Sequence, residues 1–231
     1  MLEEDVLLKT NSSYSINPNW VEQFRKKADH FTEKFKKEKE IDLENMKEGQ
    51  SINLSFNGIL DLGWFLIDKA MDTPNPENKS SLALWRLCYS VVGLEEKHLT
   101  GLKKVFKQND WFIRVEENNE VDKLFGETLK SYGAKEIKFG ITGCSTKLSD
   151  KIIVGDYITE LIYDPTFRKL WSIQNKLPKK VVEFGLGKHL YLMREYKGKM
   201  DAIVTKNSSL ADEYRKEYLR KQIIQFNKVK K

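Results

Sequence analysis

Residues 200–222 read MDAIVTKNSSLADEYRKEYLRKQ. Ala202–Thr205 is short, apolar and rich in β-branched residues, which favours a strand. Lys206-Asn207-Ser208 supplies turn chemistry. Ser209 then caps a helix, with Asp212 answering it and Glu213 in the positively polarised first turn. Leu210, Tyr214 and Tyr218 follow at helical spacing and, with Ala211 and Leu219, make one apolar face. Strand, capped turn and amphipathic helix predict the closing unit of an α/β layer.

Working back from that unit, Lys179–Glu195 holds two β-rich runs, Val181–Phe184 and His189–Met193. Gly185-Leu186-Gly187-Lys188 between them predicts a hairpin. Asp164-Pro165-Thr166 is a helix start, with Phe167, Leu170 and Trp171 facing inward. Ile158–Tyr163 and Glu136–Ile141 read as strands. Between these two strands Thr142-Gly143-Cys144-Ser145-Thr146-Lys147 leads into an apolar stretch through Leu148 and Ile152–Val154, which predicts a short helix. A strand feeding a small-residue loop and a helix is where α/β proteins hold anions. Thr142, Gly143, Ser145, Thr146 and Lys147 are therefore the candidate ligand residues. The GxxxxGK[ST] spacing of a phosphate-binding loop is absent.

The front of the chain reads as mainly helical. Asn17-Pro18 starts an amphipathic helix with Trp20, Phe24, Ala28, Phe31 and Phe35 on one stripe. Trp20, Phe24, Phe31 and Phe35 form a seam suited to self-association or to a protein partner. Residues 1–17 carry no strong period and read as a lead-in. Ile52–Met71 leaves little polar face and predicts a buried helix, with Asp61 and Asp68 on its narrow wet edge. Thr73–Asn78 is the best linker, because two prolines remove donors. Ser80 or Ser81 caps a further helix through Leu84–Val92. Leu94–Asn109 is helical, Asp110–Val115 a strand, and Asn118–Tyr132 a helix closed by Gly133. The predicted class is α+β or α/β: a helical region, 1–132, with a linker near 73–80, then a mixed-sheet α/β domain, 133–231.

The chain has 231 residues, 40% hydrophobic and 32% charged. It is long enough to bury a core, and no apolar run reaches the length of a membrane span. Cys88 and Cys144 make neither a disulfide framework nor a zinc spacing, and a reducing cytoplasm is the expected setting. No metal or cofactor motif is present. From Arg215 onward seven basic residues face one acid, Glu217, which accounts for the whole net charge of +6. Arg215, Arg220, Lys221 and Lys228 are thus the candidates for nucleic-acid contact. Lys97, His98, Lys103, Lys104 and Lys107 before the strand 111–115 raise a winged-helix arrangement. An ordinary packing unit is preferred, since paired Asn, Gln or Arg are missing at the helix start.

The order strand, helix, hairpin, strand, capped helix over Glu136–Gln222 resembles the phospholipase-D-like domain at the C-terminus of archaeal TrmB-type transcription regulators. The hairpin 181–193 and the segment Ala202–Gln222 carry the resemblance. The HxKx4D pattern of catalytic members is missing, since Leu190 and Tyr191 follow His189. The resemblance implies a non-catalytic ligand- or partner-sensing domain. The sequence thus favours a regulatory protein with a small anionic ligand at 142–147. One alternative is an enzyme on phosphate-bearing or nucleotide substrates using Lys147 with Asp150 or Asp156; Cys144 is a nucleophile only with a base nearby, and the sequence does not place His98 or His189 beside it. Another is a nucleic-acid binder using the basic tail.

Overall fold

The computed structural model describes residues 7–10, 13–16, 22, 43–73, 75, 77, 79–92, 94, 96–176 and 183–228, without the side chains of 7–16 and 219–228. The chain forms two compact units, Met1–Asp42 and Leu43–Lys231. In the first, β1 (Leu7–Thr10) and β2 (Ser13–Ile16) pair antiparallel, where the sequence reading expected only a lead-in. The aromatic seam of Trp20, Phe24, Phe31 and Phe35 lies outside the described residues.

The second unit is built on a seven-stranded mixed sheet. Its strands are β3 (Ser51–Asn57), β4 (Ser81–Trp85), β5 (Trp111–Val115), β6 (Glu136–Phe139), β7 (Ser149–Val154), β8 (Tyr157–Ile162) and β9 (Lys199–Lys206). They lie in the order β3-β9-β8-β7-β4-β5-β6. Pairing is antiparallel from β3 to β4 and parallel from β4 to β6. Among the described residues six helices accompany them: α1 (Ile59–Phe65), α2 (Glu96–Gln108), α3 (Glu120–Ser131), α4 (Pro165–Lys176), α5 (Leu186–Arg194) and α6 (Ser208–Lys228). A π-helical turn, Leu66–Ala70, continues α1. Parallel strands cannot be joined by a tight turn, and α2 and α3 are the crossovers joining β4 to β5 and β5 to β6. The α/β class is as expected.

The boundary at 132/133 is not. β4 and β5 come from the front half and lie between β7 and β6 from the back half, so one sheet runs through both. The reason lies in β4. All five of its residues are buried, since helices cover both faces of the sheet there. A strand buried on both sides shows a continuous apolar run instead of alternation, and such a run is indistinguishable from helix by period. Leu82 and Leu84 face one side with Ile153 and Ile158, and α6 closes that face with Ala211 and Tyr218. The closing strand and helix thus stand as the sequence predicted, except that Asn207 caps α6 by accepting from the Leu210 N–H at 2.9 Å.

Three further corrections concern local period. Residues 51–57 form a strand, not the start of a helix, and pair with β9 as an edge. Their alternation of Ile52, Leu54 and Phe56 with polar residues is the period-two signal. Residues 149–154 form β7 instead of a helix. Gly155-Asp156 turns it into β8, with Gly155 at φ 53, as a two-residue hairpin loop needs. The expected hairpin at 185–188 is instead the start of α5, and His189, Leu192 and Met193 are buried at helical spacing.

Candidate functional site

The Lys147 loop runs from the end of β6 to β7 and does not lead into a helix. The helix-dipole argument for anion binding therefore falls. Three of its five candidate residues serve the fold. The Gly143 carbonyl accepts from the Tyr218 hydroxyl at 2.8 Å. The Ser145 hydroxyl donates to Glu116 at 2.8 Å. The Thr146 hydroxyl accepts from the Ser149 N–H at 2.9 Å and shares a hydrogen bond with the Ser149 hydroxyl. Thr142 is exposed, with no side-chain hydrogen bond among the described residues.

Lys147 is different. It lines a surface hollow of about 310 Å³ together with Arg86, Leu148, Pro165, Arg168, Lys169, Ser172 and Ile173. Three elements meet there. Arg86 directly follows the carboxyl end of β4, the strand at which pairing changes from antiparallel to parallel. Lys147 and Leu148 come from the loop. Pro165, Arg168, Lys169, Ser172 and Ile173 lie on one face of α4, at the spacing that stacks side chains along a helix. Asp164 fixes the start of that helix by accepting from the Phe167 N–H at 2.9 Å and from the Tyr196 hydroxyl at 2.5 Å. The opposite face carries Phe167 and Trp171 into the core.

The floor of the hollow is an ion pair. Arg168, itself buried, holds Asp150 through two parallel hydrogen bonds of 3.1 and 2.6 Å. The same carboxylate accepts from the Arg86 N–H at 2.8 Å and the Tyr89 hydroxyl at 3.3 Å. Burial pushes the Asp150 carboxyl up, and the guanidinium and the Arg86 N–H pull the other way. Arg168 also donates from Nε to the Lys147 carbonyl at 3.4 Å and sits over the Tyr163 and Trp171 rings. Of its five N–H donors, three are thus committed. The Arg86 guanidinium pairs with Glu117 at 3.5 Å, which Lys176 also meets at 2.6 Å. Lys147 and Lys169 are exposed and make no ion pair among the described residues, so they supply the uncompensated positive charge.

The chemistry needed for turnover is not assembled here. Asp150 is fully buried with four donors on it, which leaves it neither base nor metal ligand. Asp156 lies at the β7–β8 turn, paired with Lys79 at 3.0 Å. Cys144 is buried under α6 and donates to the Trp85 and Arg114 carbonyls at 3.3 and 3.6 Å. His98 stacks on Trp64 from α2. His189 lies on α5 against Phe125 and Phe184. Among the described residues no group of His, Cys, Asp and Glu could hold a metal ion.

The nucleic-acid candidates fare unevenly. Arg215 is buried, donating to the Ser80 carbonyl at 2.8 Å, to Asp212 at 2.8 Å and to the Gly155 carbonyl, so it fastens α6 to the sheet. The side chains of Arg220, Lys221 and Lys228 lie outside the described residues, though the three positions are on α6. The winged-helix alternative has no support here, because β5 is an inner strand and His98 is buried. Sequence reading missed Arg86, Arg168 and Lys169. The signal for Arg168 and Lys169 was the polar face of a helix whose start had been recognised; Arg86, just after β4, had none.

No family model matches the chain, and no curated protein does. Among solved structures, TrmBL2, an archaeal chromatin protein with a novel mode of DNA binding, aligns at a TM-score of 0.40 and 10% identity. That alignment covers 94% of this chain and 74% of the other. A polyphosphate kinase from Porphyromonas gingivalis aligns at 0.38 and 11% identity, over 75% of this chain and 24% of its own. Both scores fall below what a shared fold requires.

Proposed function

We propose that this chain is a non-catalytic regulatory protein that senses a small anionic molecule, such as a phosphorylated metabolite, at the Lys147–Lys169 hollow. The observation that carries the reading is the pair of lysines without ion pairs above an arginine locked in place by a buried carboxylate. A lysine ammonium serves as a point charge for phosphate, while a preorganised guanidinium supplies directional donors. Asp150 keeps Arg168 from reaching into solvent and so orients the donors it still has. Among the described residues no unpaired general base lines the hollow beside the Ser172 hydroxyl, which speaks for binding without conversion.

A route from ligand to response follows the loop. An anion drawing Lys147 toward α4 tightens the backbone that Arg168 already holds. The same loop carries the Gly143 carbonyl that accepts from Tyr218 on α6. Ligand occupancy therefore biases how firmly the C-terminal helix, with its basic end, is held. The two-state element in this proposal is the α6 contact, and the coupling is physical only if both ends bias it.

Isothermal titration with inorganic phosphate and a hexose phosphate tests the binding. The expected result is saturable binding that the Lys147→Ala, Lys169→Ala double variant weakens by roughly tenfold or more, with unchanged thermal stability. Absence of binding in the unmodified protein, or binding indifferent to both lysines, rejects the site. Steady conversion of the hexose phosphate rejects the non-catalytic reading.

A further inference from the structure

The lining of the Lys147–Lys169 hollow is divided in kind. Lys147 and Lys169 bring charge, while Leu148, Pro165 and Ile173 bring carbon. Leu148 is 40% and Ile173 42% exposed, and Pro165 is exposed as well. An apolar side chain alone on a surface needs no explanation. These three line one concavity, together with two cations that make no ion pair among the described residues. Of the described lining side chains, Ser172 alone is polar and uncharged.

The order of these residues along the chain sets each kind beside the other. Leu148 directly follows Lys147 in the loop, and Ile173 stands four positions after Lys169 on α4. Side chains four apart on a helix are neighbours, with Cβ atoms about 5–6 Å apart. Each cation therefore has an apolar side chain next to it, one from the loop and one from the helix. The Arg86 guanidinium is met by Glu117 at 3.5 Å, which offsets its charge. Arg168 keeps to the floor, bonded to Asp150 and to the Lys147 carbonyl. An anion is drawn to the two lysines, and whatever is bonded to that anion comes against Leu148 and Ile173.

We infer, resting on the anion reading of this hollow, that its ligand is a phosphate ester whose other half is a compact apolar group about one ring in size. The phosphate lies on Lys147 and Lys169, and the apolar half covers Leu148, Pro165 and Ile173. A sugar phosphate would set several hydroxyls against those three side chains, with the Ser172 hydroxyl as their one uncharged partner, and hydroxyls taken from water without partners weaken binding. A bare phosphate leaves the apolar wall in water. A neutral ring leaves both lysines without a counter-charge. Room is sufficient. An apolar cavity of about 150 Å³ takes a benzene ring, and this hollow measures about 310 Å³. Covering roughly 55 Å² of apolar surface improves affinity about tenfold.

Isothermal titration of the full chain with phenyl phosphate, methyl phosphate, glycerol phosphate and benzyl alcohol tests this. Phenyl phosphate is expected to bind about tenfold tighter than methyl phosphate. Glycerol phosphate should bind no tighter than methyl phosphate, and benzyl alcohol should not saturate. In the Leu148→Ser, Ile173→Ser double variant the advantage of phenyl over methyl phosphate should fall to about twofold. Should that variant fail to fold, Ile173→Ser alone should lower the advantage to about threefold. Phosphates that bind through both lysines, with phenyl phosphate no tighter than methyl phosphate, overturn the inference and leave the anion reading standing. So does glycerol phosphate binding as tightly as phenyl phosphate, or an advantage of phenyl phosphate that persists in a folded serine variant. No binding of any phosphate overturns both.

Discussion

Arg168 belongs to the core as much as to the hollow. It lies with Asp150 beneath the surface, and each satisfies the other. Removing one partner of such a pair strands a charge, whereas removing both is often harmless. Arg168→Met should therefore destabilise the protein by about 3–5 kcal/mol in urea titration, and adding Asp150→Leu should restore much of that loss. A single variant as stable as the unmodified protein would show that the pair does not hold α4. His189 makes a second case. It is fully buried, with neither ring nitrogen partnered among the described residues, and burial holds its pKa down to about 4. An unfolded histidine titrates near 6.5. Its contribution to stability is thus complete above about pH 6.5 and declines as pH falls to about 4, by at most about 3 kcal/mol. Asp122 works in the opposite sense. Burial raises its carboxyl to about 6, against hydrogen bonds from the Cys88 N–H, Asn175 and Asn119. Its folded form keeps a proton that the unfolded chain releases, so stability falls as pH climbs from about 4 to 6. The unmodified protein should show a shallow profile there. His189→Leu should expose the Asp122 slope, with stability declining toward pH 6. An unchanged profile in chemical denaturation across that range would refute the assignment. Lys147 was legible in the sequence, because a lysine beside small residues in a connecting loop is a recognisable type. Arg168 and Lys169 were not, since only the packing of α4 beside the end of β4 gives their face a purpose. The inward position expected for Leu170 shows the same limit: it is 41% exposed, while Arg168 is buried.

At the scale of elements, α3 and α4 were placed correctly by their capping chemistry. The cap read at Ser80 or Ser81 for a helix through Leu84–Val92 stands instead at the start of strand β4. α3 begins where the Asn119 side chain accepts from the Asp122 N–H and ends before Gly133 at φ 117. α4 begins on Asp164 and Pro165. Side chains other than glycine rarely adopt the Gly133 conformation, and a Cβ there would lie 3.3 Å from that of Phe106. Gly133→Ala should cost about 1–3 kcal/mol, read as a lowered melting temperature. A neutral effect would mean that the turn relaxes freely. The misread elements are those where burial hid the period. β4 is covered on both faces and carries no alternation. β7 was joined to a preceding loop, although Ile152-Ile153-Val154 is β-branched and Gly155-Asp156 is a hairpin turn. α5 was taken for a hairpin because its glycines, Gly185 and Gly187, stand where a turn would want them. Its buried positions at 189, 192 and 193 were the better guide.

For the molecule as a whole, the α/β class and the closing helix were readable from residues 200–222, because they depend on local pattern. The joining of the two halves into one sheet was not, because it depends on which strands meet, and no local signal carries that. The edge strand β3 shows how far apart such partners are: Ser51 bonds Thr205 across 154 positions. The outcome bears on how the protein is made. A ribosome releases β3, β4 and β7 long before β9 and α6, so the side of the sheet with Leu82, Leu84 and Ile153 waits for Ala211 and Tyr218 to emerge before they can cover it. Folding of this sheet then waits for residues 199–218, as long-range pairing slows any sheet. The nascent chain meanwhile presents a bare apolar surface, the kind that chaperones shield from aggregation.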